Sequence, residues 1–286
     1  MATPLDQIRL LRQGQPDFTV GPKLQTIWGA REAFVFSLEG VAATTMVICA
    51  AARWLPGMIA AEMAMVGAVA LLFSHLGNPG AAWRAIFNLR RSWISRGTAV
   101  IGAFCGLGAL AILGQFIAVP AFLPDAMFWL LSASAGFIVF YPGFAMAASA
   151  GIPFWRTGLL PILSALGGLS SGGAVGLAVA PNVGIDGATL RLAELLVFAL
   201  IVAAVATMTA IAYRRPGASQ VSARLMLNEK RWFWALAVGA GLVLPLILVI
   251  AGGNAAWFAL AALLRFLGDV AFRYTVLKVG TYEPLL

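Results

Sequence analysis

The sequence predicts an all-α membrane protein, a single bundle of about eight transmembrane helices that covers residues 1–286. Hydrophobic residues make up 61% of the chain and charged residues 10%. Soluble domains carry roughly a quarter charged residues. A chain with so few charges cannot cover a globule with water-compatible side chains, so lipid must be its main solvent. This composition excludes a soluble enzyme.

Eight apolar windows are long enough to cross a bilayer, which takes about 20 residues per helix. They are Ala33–Ala52, Gly57–His75, Thr98–Val119, Ala126–Ala148, Thr157–Ala180, Leu190–Ala212, Trp232–Ala251 and Ala255–Val276. The fifth window contains GGLSSGG from Gly167 to Gly173, and such a density of small residues indicates closely packed helices. No convincing internal repeat indicates an inverted-repeat transporter.

Basic residues in the loops predict the orientation. An even number of spans places both termini on one side, where the segments hold 16 lysines and arginines against two, Arg53 and Arg191, on the other. Because such residues concentrate in cytoplasmic loops, we expect a cytoplasmic N-terminal segment (1–32), loop (76–97) and tail (277–286) in a bacterial inner membrane. The first thirty residues are mixed polar, so we expect no removable signal peptide. The basic side could also dock an acidic partner or anionic lipid headgroups.

Cysteine and histidine content limits the cofactors of this chain. Cys49 and Cys105 lie in apolar runs without metal-ligand spacing, so we expect no iron–sulfur cluster and no metal site. The only histidine, His75, cannot supply both axial ligands of a bis-histidine haem, so we expect no haem either.

Ionisable residues inside the spans are candidate functional groups, because charge in hydrocarbon is costly. Arg265, Asp269 and Arg273 lie four residues apart on one face of the last span, which also fits a neutralised structural ladder. Glu39 lies about 9 Å into the first span at 1.5 Å per residue. His75 ends the second span on the same side.

This combination suits a lipid-soluble redox carrier. Quinol oxidation releases protons and quinone reduction takes them up, so a quinone site needs titratable groups at hydrogen-bonding distance. A lone histidine at a helix end can also be an interfacial cap. Glu62 and Glu194 lie near the opposite side, where they could line a proton exit; our expectation is that they extend to water.

The segment from His75 to Gly97 combines a Gly/Pro turn with an amphipathic stretch rich in tryptophan and arginine. It predicts a short interfacial helix that shields a cavity or presents a docking face. The residues that we expect to dock a partner are Trp83, Arg90, Arg91, Trp93 and Arg96.

The same segment resembles a loop of the NrfD/DmsC/PsrC-type anchors, the membrane subunits of dimethyl sulfoxide reductase, polysulfide reductase and related complex iron–sulfur molybdoenzymes. The similar residues are His75-Leu76-Gly77-Asn78-Pro79, Ala82-Trp83-Arg84-Ala85, Asn88 and Arg91-Ser92-Trp93-Ile94-Ser95-Arg96. IPFWRTGLLPILSALGGLSSG from Ile152 and the FRYTVLKVG tail add support. The likeness extends over nearly the whole chain, and the His75 loop is its most specific part.

The resemblance implies an anchor that exchanges electrons and protons between an iron–sulfur ferredoxin-like subunit with 4Fe–4S clusters and membrane quinone, either menaquinone or ubiquinone. That subunit would connect the quinone to a molybdopterin catalytic subunit, which would carry the primary catalysis. The family's quinone-site histidine corresponds to His75. We expect Glu39, Arg84, Arg265 and Asp269 to complete the quinone-binding site, and we expect no nucleic-acid partner.

One position departs from the family pattern. Many relatives have a glutamate directly after the SR or SN of the loop, where this chain has Gly97. Either Glu39 or Asp269 then takes over the proton step, or the quinone site differs. Because the loop and both termini are predicted to be cytoplasmic, the partner subunits should be cytoplasmic too, as in sulfite dehydrogenase-like and phenylacetyl-CoA oxidoreductase-like complexes. The tail FRYTVLKVGTYEPLL also resembles these complexes more than the dimethyl sulfoxide reductases, so we expect quinone reduction by an oxidising complex.

Two other interpretations stay open. In a proton-coupled secondary transporter, Glu39, Glu62, Glu194 and Asp269 would relay protons, and the chain would work alone. In a purely structural anchor there would be no quinone site, and replacing His75 would leave electron transfer unchanged.

Overall fold

Eight long apolar helices form one bundle in the computed structural model, which describes residues 23–74, 79–117, 120 and 122–283. The prediction of an all-α polytopic membrane bundle is confirmed. The helices are α1 (Ala30–Ala51), α2 (Leu55–Phe73), α3 (Trp93–Leu113), α4 (Phe122–Ala147), α5 (Leu159–Val183), α6 (Gly187–Arg214), the short α7 (Ala218–Asn228), α8 (Lys230–Ala251) and α9 (Ala255–Lys278).

The region between α2 and α3 differs from the predicted loop. A 3₁₀ helix runs from Pro79 to Asn88, and α3 begins at Trp93, five residues before the predicted span. The reason is a cap at Ser92, whose hydroxyl accepts a hydrogen bond from the Ser95 amide at 3.2 Å. The predicted loop over 76–97 therefore extends into the first turn of α3.

Glycines set the distances between the helices. Gly40 of α1 lies against Gly168 of α5, so a Cβ on either would meet the other's backbone at 3.0 Å. Gly241 of α8 and Gly268 of α9 also touch through their backbones. Such close backbone approach is how transmembrane helices gain packing energy without a hydrophobic driving force. The close helix packing that the small residues of α5 predicted is therefore present, and α5 is the most buried of the eight spans.

Both ends of the described chain meet on one side, which we call the terminal face. The strand β1 (Lys23–Leu24) pairs antiparallel with β2 (Thr281–Tyr282). The Gln25 side chain donates to the Leu277 carbonyl at 2.6 Å, which fixes the end of α9. The even number of spans follows directly from this pairing.

Polar side chains cap the helices on the other side, the opposite face. Asp186 accepts hydrogen bonds from the Ala188 and Thr189 amides at the start of α6. The Thr189 hydroxyl and these amides lower the pKa of Asp186, so the cap is ionised at neutral pH. Asn254 caps α9 in the same way.

Candidate functional site

A cavity of about 560 Å³, the Arg265 cavity, lies between α5, α6, α8 and α9. It extends from Arg214 and Leu227 near the terminal face to Arg265 in the middle of α9. Its lining is mostly apolar and includes Leu163, Ile201, Val202, Val205, Phe233, Trp234, Leu242 and Phe272. Val202 of α6 and Trp234 of α8 are about half exposed on the outer surface, so the cavity opens sideways between these two helices.

Arg265 supplies the charge at the inner end of this cavity. Its Nε donates to the Ser170 hydroxyl at 3.1 Å, and one terminal nitrogen donates to the Gly241 carbonyl. Its other terminal nitrogen has no hydrogen-bond partner among the residues that the structure describes. This side chain thus keeps one donor available at the wall of the cavity.

Glu194 balances the Arg265 charge through a serine. The Ser170 hydroxyl donates to Glu194 Oε1 at 2.5 Å, and Glu194 is buried at 2% exposure. The expectation that Glu194 extends to water is therefore wrong. Gly173 has no side chain where the Glu194 carboxylate lies, so α5 and α6 can approach with the acid between them.

Asp269 lies one turn beyond Arg265 and also lines the cavity. Its Oδ2 accepts from Arg273 Nε at 2.8 Å, and Arg273 also donates to the Ser164 hydroxyl and carbonyl, each at 3.0 Å. A Cβ at Gly167 would overlap Asp269 Oδ1, so that glycine provides the room for the carboxylate. The structural ladder is therefore present between Asp269 and Arg273.

Glu39 lies in the core beside this group but does not line the cavity. It is completely buried in α1, and neither carboxylate oxygen has a hydrogen-bond partner within the described parts of the chain. Arg273 interacts with it electrostatically. An unpartnered buried carboxylate is rare in folded proteins and suggests a proton or water at this position.

The remaining residues of the predicted quinone site lie elsewhere or outside the described chain. Arg84 is exposed on the 3₁₀ helix, which packs against α3, and its guanidinium lies 5.6 Å from the Trp83 ring centre. His75 falls outside the described residues. α2, which leads to it, packs against α1 and α3. The structure brings Arg265 and Asp269 together and does not bring Arg84 to them.

The predicted docking residues divide into two groups. Three are exposed: Trp83, Arg90 and Arg91. Trp93 instead stacks on Phe144 of α4 with ring centres 4.6 Å apart, and Arg96 lies over the Trp93 ring. Arg96 also donates to the Leu89 and Arg90 carbonyls, so it holds the loop against α3.

Gly97 faces a tyrosine ring. A Cβ at this position would overlap the side chain of Tyr141 on α4, which is almost fully buried. A glutamate at position 97 would therefore require Tyr141 to move. Glycine at position 97 therefore allows α3 to pack directly against the Tyr141 ring.

Sequence reasoning missed the cavity and the polar partners of Arg265. Ser170 belongs to GGLSSGG, where the glycines indicated packing and the serines were the only sign of polar contacts. No cluster of three or more histidine, cysteine, aspartate or glutamate residues in the described chain has the arrangement of a metal site.

The family model of the DMSO reductase anchor subunit (DmsC) matches residues 51–267, well over half of the chain. The chain belongs to this family. It is therefore a membrane anchor of a molybdoenzyme complex and associates with catalytic and iron–sulfur subunits. The matched DmsC region includes His75, Arg84 and Arg265, while Glu39 and Asp269 lie outside it. No curated protein sequence matches the chain.

Proposed function

We propose that this anchor exchanges electrons and protons between the iron–sulfur subunit and membrane quinone, menaquinone or ubiquinone. The observation that carries the proposal is the Arg265 cavity, which opens to lipid and ends at the buried side chains of Arg265 and Asp269. A quinone needs an apolar passage for its isoprenoid chain and polar groups for its ring oxygens.

The polar end of the cavity fits the ring of a quinone. The Arg265 nitrogen without a protein partner can donate to a carbonyl oxygen of the ring, and Asp269 can exchange a proton with the second oxygen. Val205, Phe233 and Trp234 leave an apolar wall for the chain. His75 and Glu39 stay part of the proposed site, whereas Arg84 lies on the exposed 3₁₀ helix, which packs against α3 and not against the cavity helices.

We further propose that the complex oxidises its substrate in the cytoplasm and reduces quinone, in the manner of a sulfite dehydrogenase-like or phenylacetyl-CoA oxidoreductase-like enzyme. The basic terminal face supports an inner-membrane location with cytoplasmic termini. Its exposed Trp83, Arg90 and Arg91 supply a surface for the iron–sulfur subunit, which would bring 4Fe–4S clusters and connect to a molybdopterin subunit.

Substitution of Arg265 tests this function in the complex purified with its partners. Arg265→Gln should raise the KM for a soluble quinone analogue, decylubiquinone, by roughly tenfold or more, because a hydrogen bond from a charged group contributes about 1.5–3 kcal/mol. The matched control is Arg191→Gln on the opposite face, which should leave KM unchanged. An unchanged KM in an assembled Arg265→Gln complex contradicts the site and favours a purely structural anchor.

A proton-coupled transporter is the second candidate, because Glu39 and Glu194 are carboxylates buried in the spans. Partner dependence separates the two functions. A transporter moves its substrate in vesicles that contain this chain alone, whereas the anchor needs its iron–sulfur subunit for every turnover.

A further inference from the structure

A row of acidic groups leads from the opposite face of the bundle toward the Arg265 cavity. It runs through α1, α2 and α3, whereas the cavity lies among α5, α6, α8 and α9. The two carboxylates in the row, Glu62 and Glu39, both have oxygens without a hydrogen-bond partner among the described residues. The quinone site proposed above uses Glu39 but gives no role to Glu62.

The row begins at a vestibule of about 210 Å³ on the opposite face. The vestibule lies between the ends of α1 to α4 that face this side, and its polar lining includes Arg53, Gln115 and Asp125. Met58 of α2 forms part of its inner wall. Glu62 is four residues further along α2, about 6 Å deeper at 1.5 Å per residue.

Glu62 is the carboxylate of α2 that lies inward of the vestibule. A Cβ at Gly108 of α3 would overlap Glu62 Oε2, so this glycine provides the room for the carboxylate. The same point is 3.0 Å from the methyl carbon of Met46 on α1. Glu62 Oε2 is buried and unpartnered in the described chain.

Cys105 and Glu39 continue the row inward. Cys105 lies three residues before Gly108 on α3, about 4.5 Å closer to the terminal face. It interacts electrostatically with both Glu62 and Glu39. Glu39 lies seven residues before Met46 on α1, about 10 Å inward from the level of Glu62.

Glu39 connects this row to the cavity. Glu39 interacts electrostatically with Arg273, and Arg273 forms an ion pair with Asp269 at 2.8 Å. Asp269 is part of the cavity wall. Oxygen atoms without protein partners are the positions at which internal water binds, and water can transfer protons between such acids.

We propose that Glu62 and Glu39, with Asp269 at the inner end, carry protons between the opposite face and the quinone in the Arg265 cavity. The inference rests on the proposed quinone function and assigns the side of the membrane with which the quinone exchanges protons. In quinone reduction, two electrons come from the iron–sulfur subunit and two protons come through the row. Two O–H bonds form on the quinone, and Glu62 is reprotonated from the vestibule; quinol oxidation runs each step in reverse.

Vesicles that contain the whole complex provide the test. Vesicles captured by an affinity tag at the C-terminus have the terminal face outside, and ferricyanide, which does not cross membranes, accepts electrons there from the iron–sulfur subunit. Decylubiquinol is added, and an entrapped pH dye reports the lumen, which contacts the opposite face. The wild-type lumen should acidify by two protons per quinol oxidised. Release of both protons into the outer medium would overturn the inference.

Conservative variants distinguish the loss of proton transfer along the row from general damage to the protein. Glu62→Gln keeps the shape of the side chain but cannot exchange a proton, so lumen acidification should slow by at least about tenfold. Glu62→Asp keeps the acid and should restore it, and Glu229→Gln at the terminal face is the control for loss of a carboxylate elsewhere. Full acidification in an assembled Glu62→Gln complex refutes the role of Glu62.

The proposed function fails in a different way from this inference. If wild-type vesicles show no quinol-dependent ferricyanide reduction, the quinone function itself is wrong. If ferricyanide is reduced but the lumen does not acidify, the quinone function stands and the proton row is refuted.

Discussion

At the level of single residues, specific partners stabilise four buried charges, three in α9 and one in α6. Arg273 pairs with Asp269, while Arg265 is balanced by Glu194 through the Ser170 hydroxyl. Buried ion pairs gain little net stability, but removing one partner leaves an expensive unpaired charge. The cost of retaining these groups inside the membrane is what suggests a function for the Arg265 cavity.

A double-mutant cycle on Asp269 and Arg273 should reveal this asymmetry. Arg273→Met leaves the Asp269 carboxylate unpaired and should reduce the free energy of unfolding by about 3–5 kcal/mol. The double variant Asp269→Leu/Arg273→Met should recover most of that loss. Thermal unfolding of the purified complex in detergent measures both, and equal destabilisation by the single and double variants would contradict the pairing.

His75→Ala should leave the complex assembled and lower quinone-coupled turnover by roughly a hundredfold, the usual scale for a group that transfers protons. Its turnover is compared with that of Arg265→Gln, the variant at the inner end of the cavity. Unchanged turnover in an assembled His75→Ala complex would exclude His75 from the quinone site and leave only the cavity residues as candidates for quinone binding.

Glu39→Gln should impair the same quinone step, because it removes the carboxylate that connects Glu62 to Asp269 in the proposed row. The pH–rate profile of the purified complex should lose the ionisation that Glu39 contributes. A profile identical to that of the wild type would exclude Glu39 from proton transfer.

At the level of helices, the sequence predicted most of the bundle and little of its detail. Each span was visible as an apolar window, because a lipid-exposed helix must satisfy its backbone internally and be apolar over its length. The start of α3 was predicted too late, because the polar residues of its first turn indicated a loop although Ser92 caps a helix there. The π-helical part of α8, Lys230–Val243, leaves no local signature in composition.

Glycine positions provide the test at this scale. Gly97→Ala places a methyl group against the Tyr141 ring and should destabilise the complex by about 1–3 kcal/mol, the usual cost of overpacking. Gly102→Ala in the same helix has open space around the new Cβ and serves as the control. Equal thermal stability of the two variants would contradict the close contact between α3 and α4.

At the scale of the whole molecule, the site depends on how distant parts of the chain pack together, which no local sequence pattern encodes. Asp269 and Arg265 were predictable as one helix face, but the cavity is formed by four helices, α5, α6, α8 and α9, that pack around one space. Arg84 was grouped with them from its loop, and the structure places it against α3 instead. The even number of spans places both ends of the described chain on one side, where β1 pairs with β2.

Quinone-dependent oxidation of the partner clusters tests the central claim most directly. The tagged anchor is purified gently from its native membranes, the iron–sulfur centres that accompany it are reduced with dithionite, and decylubiquinone is added while their paramagnetic resonance signal is followed. We predict stoichiometric iron and molybdenum and rapid loss of the reduced-cluster signal in the wild type, with a slow loss in Arg265→Gln. Clusters that stay reduced in the presence of quinone, or a metal-free subunit whose partners were not removed by extraction, would contradict the account.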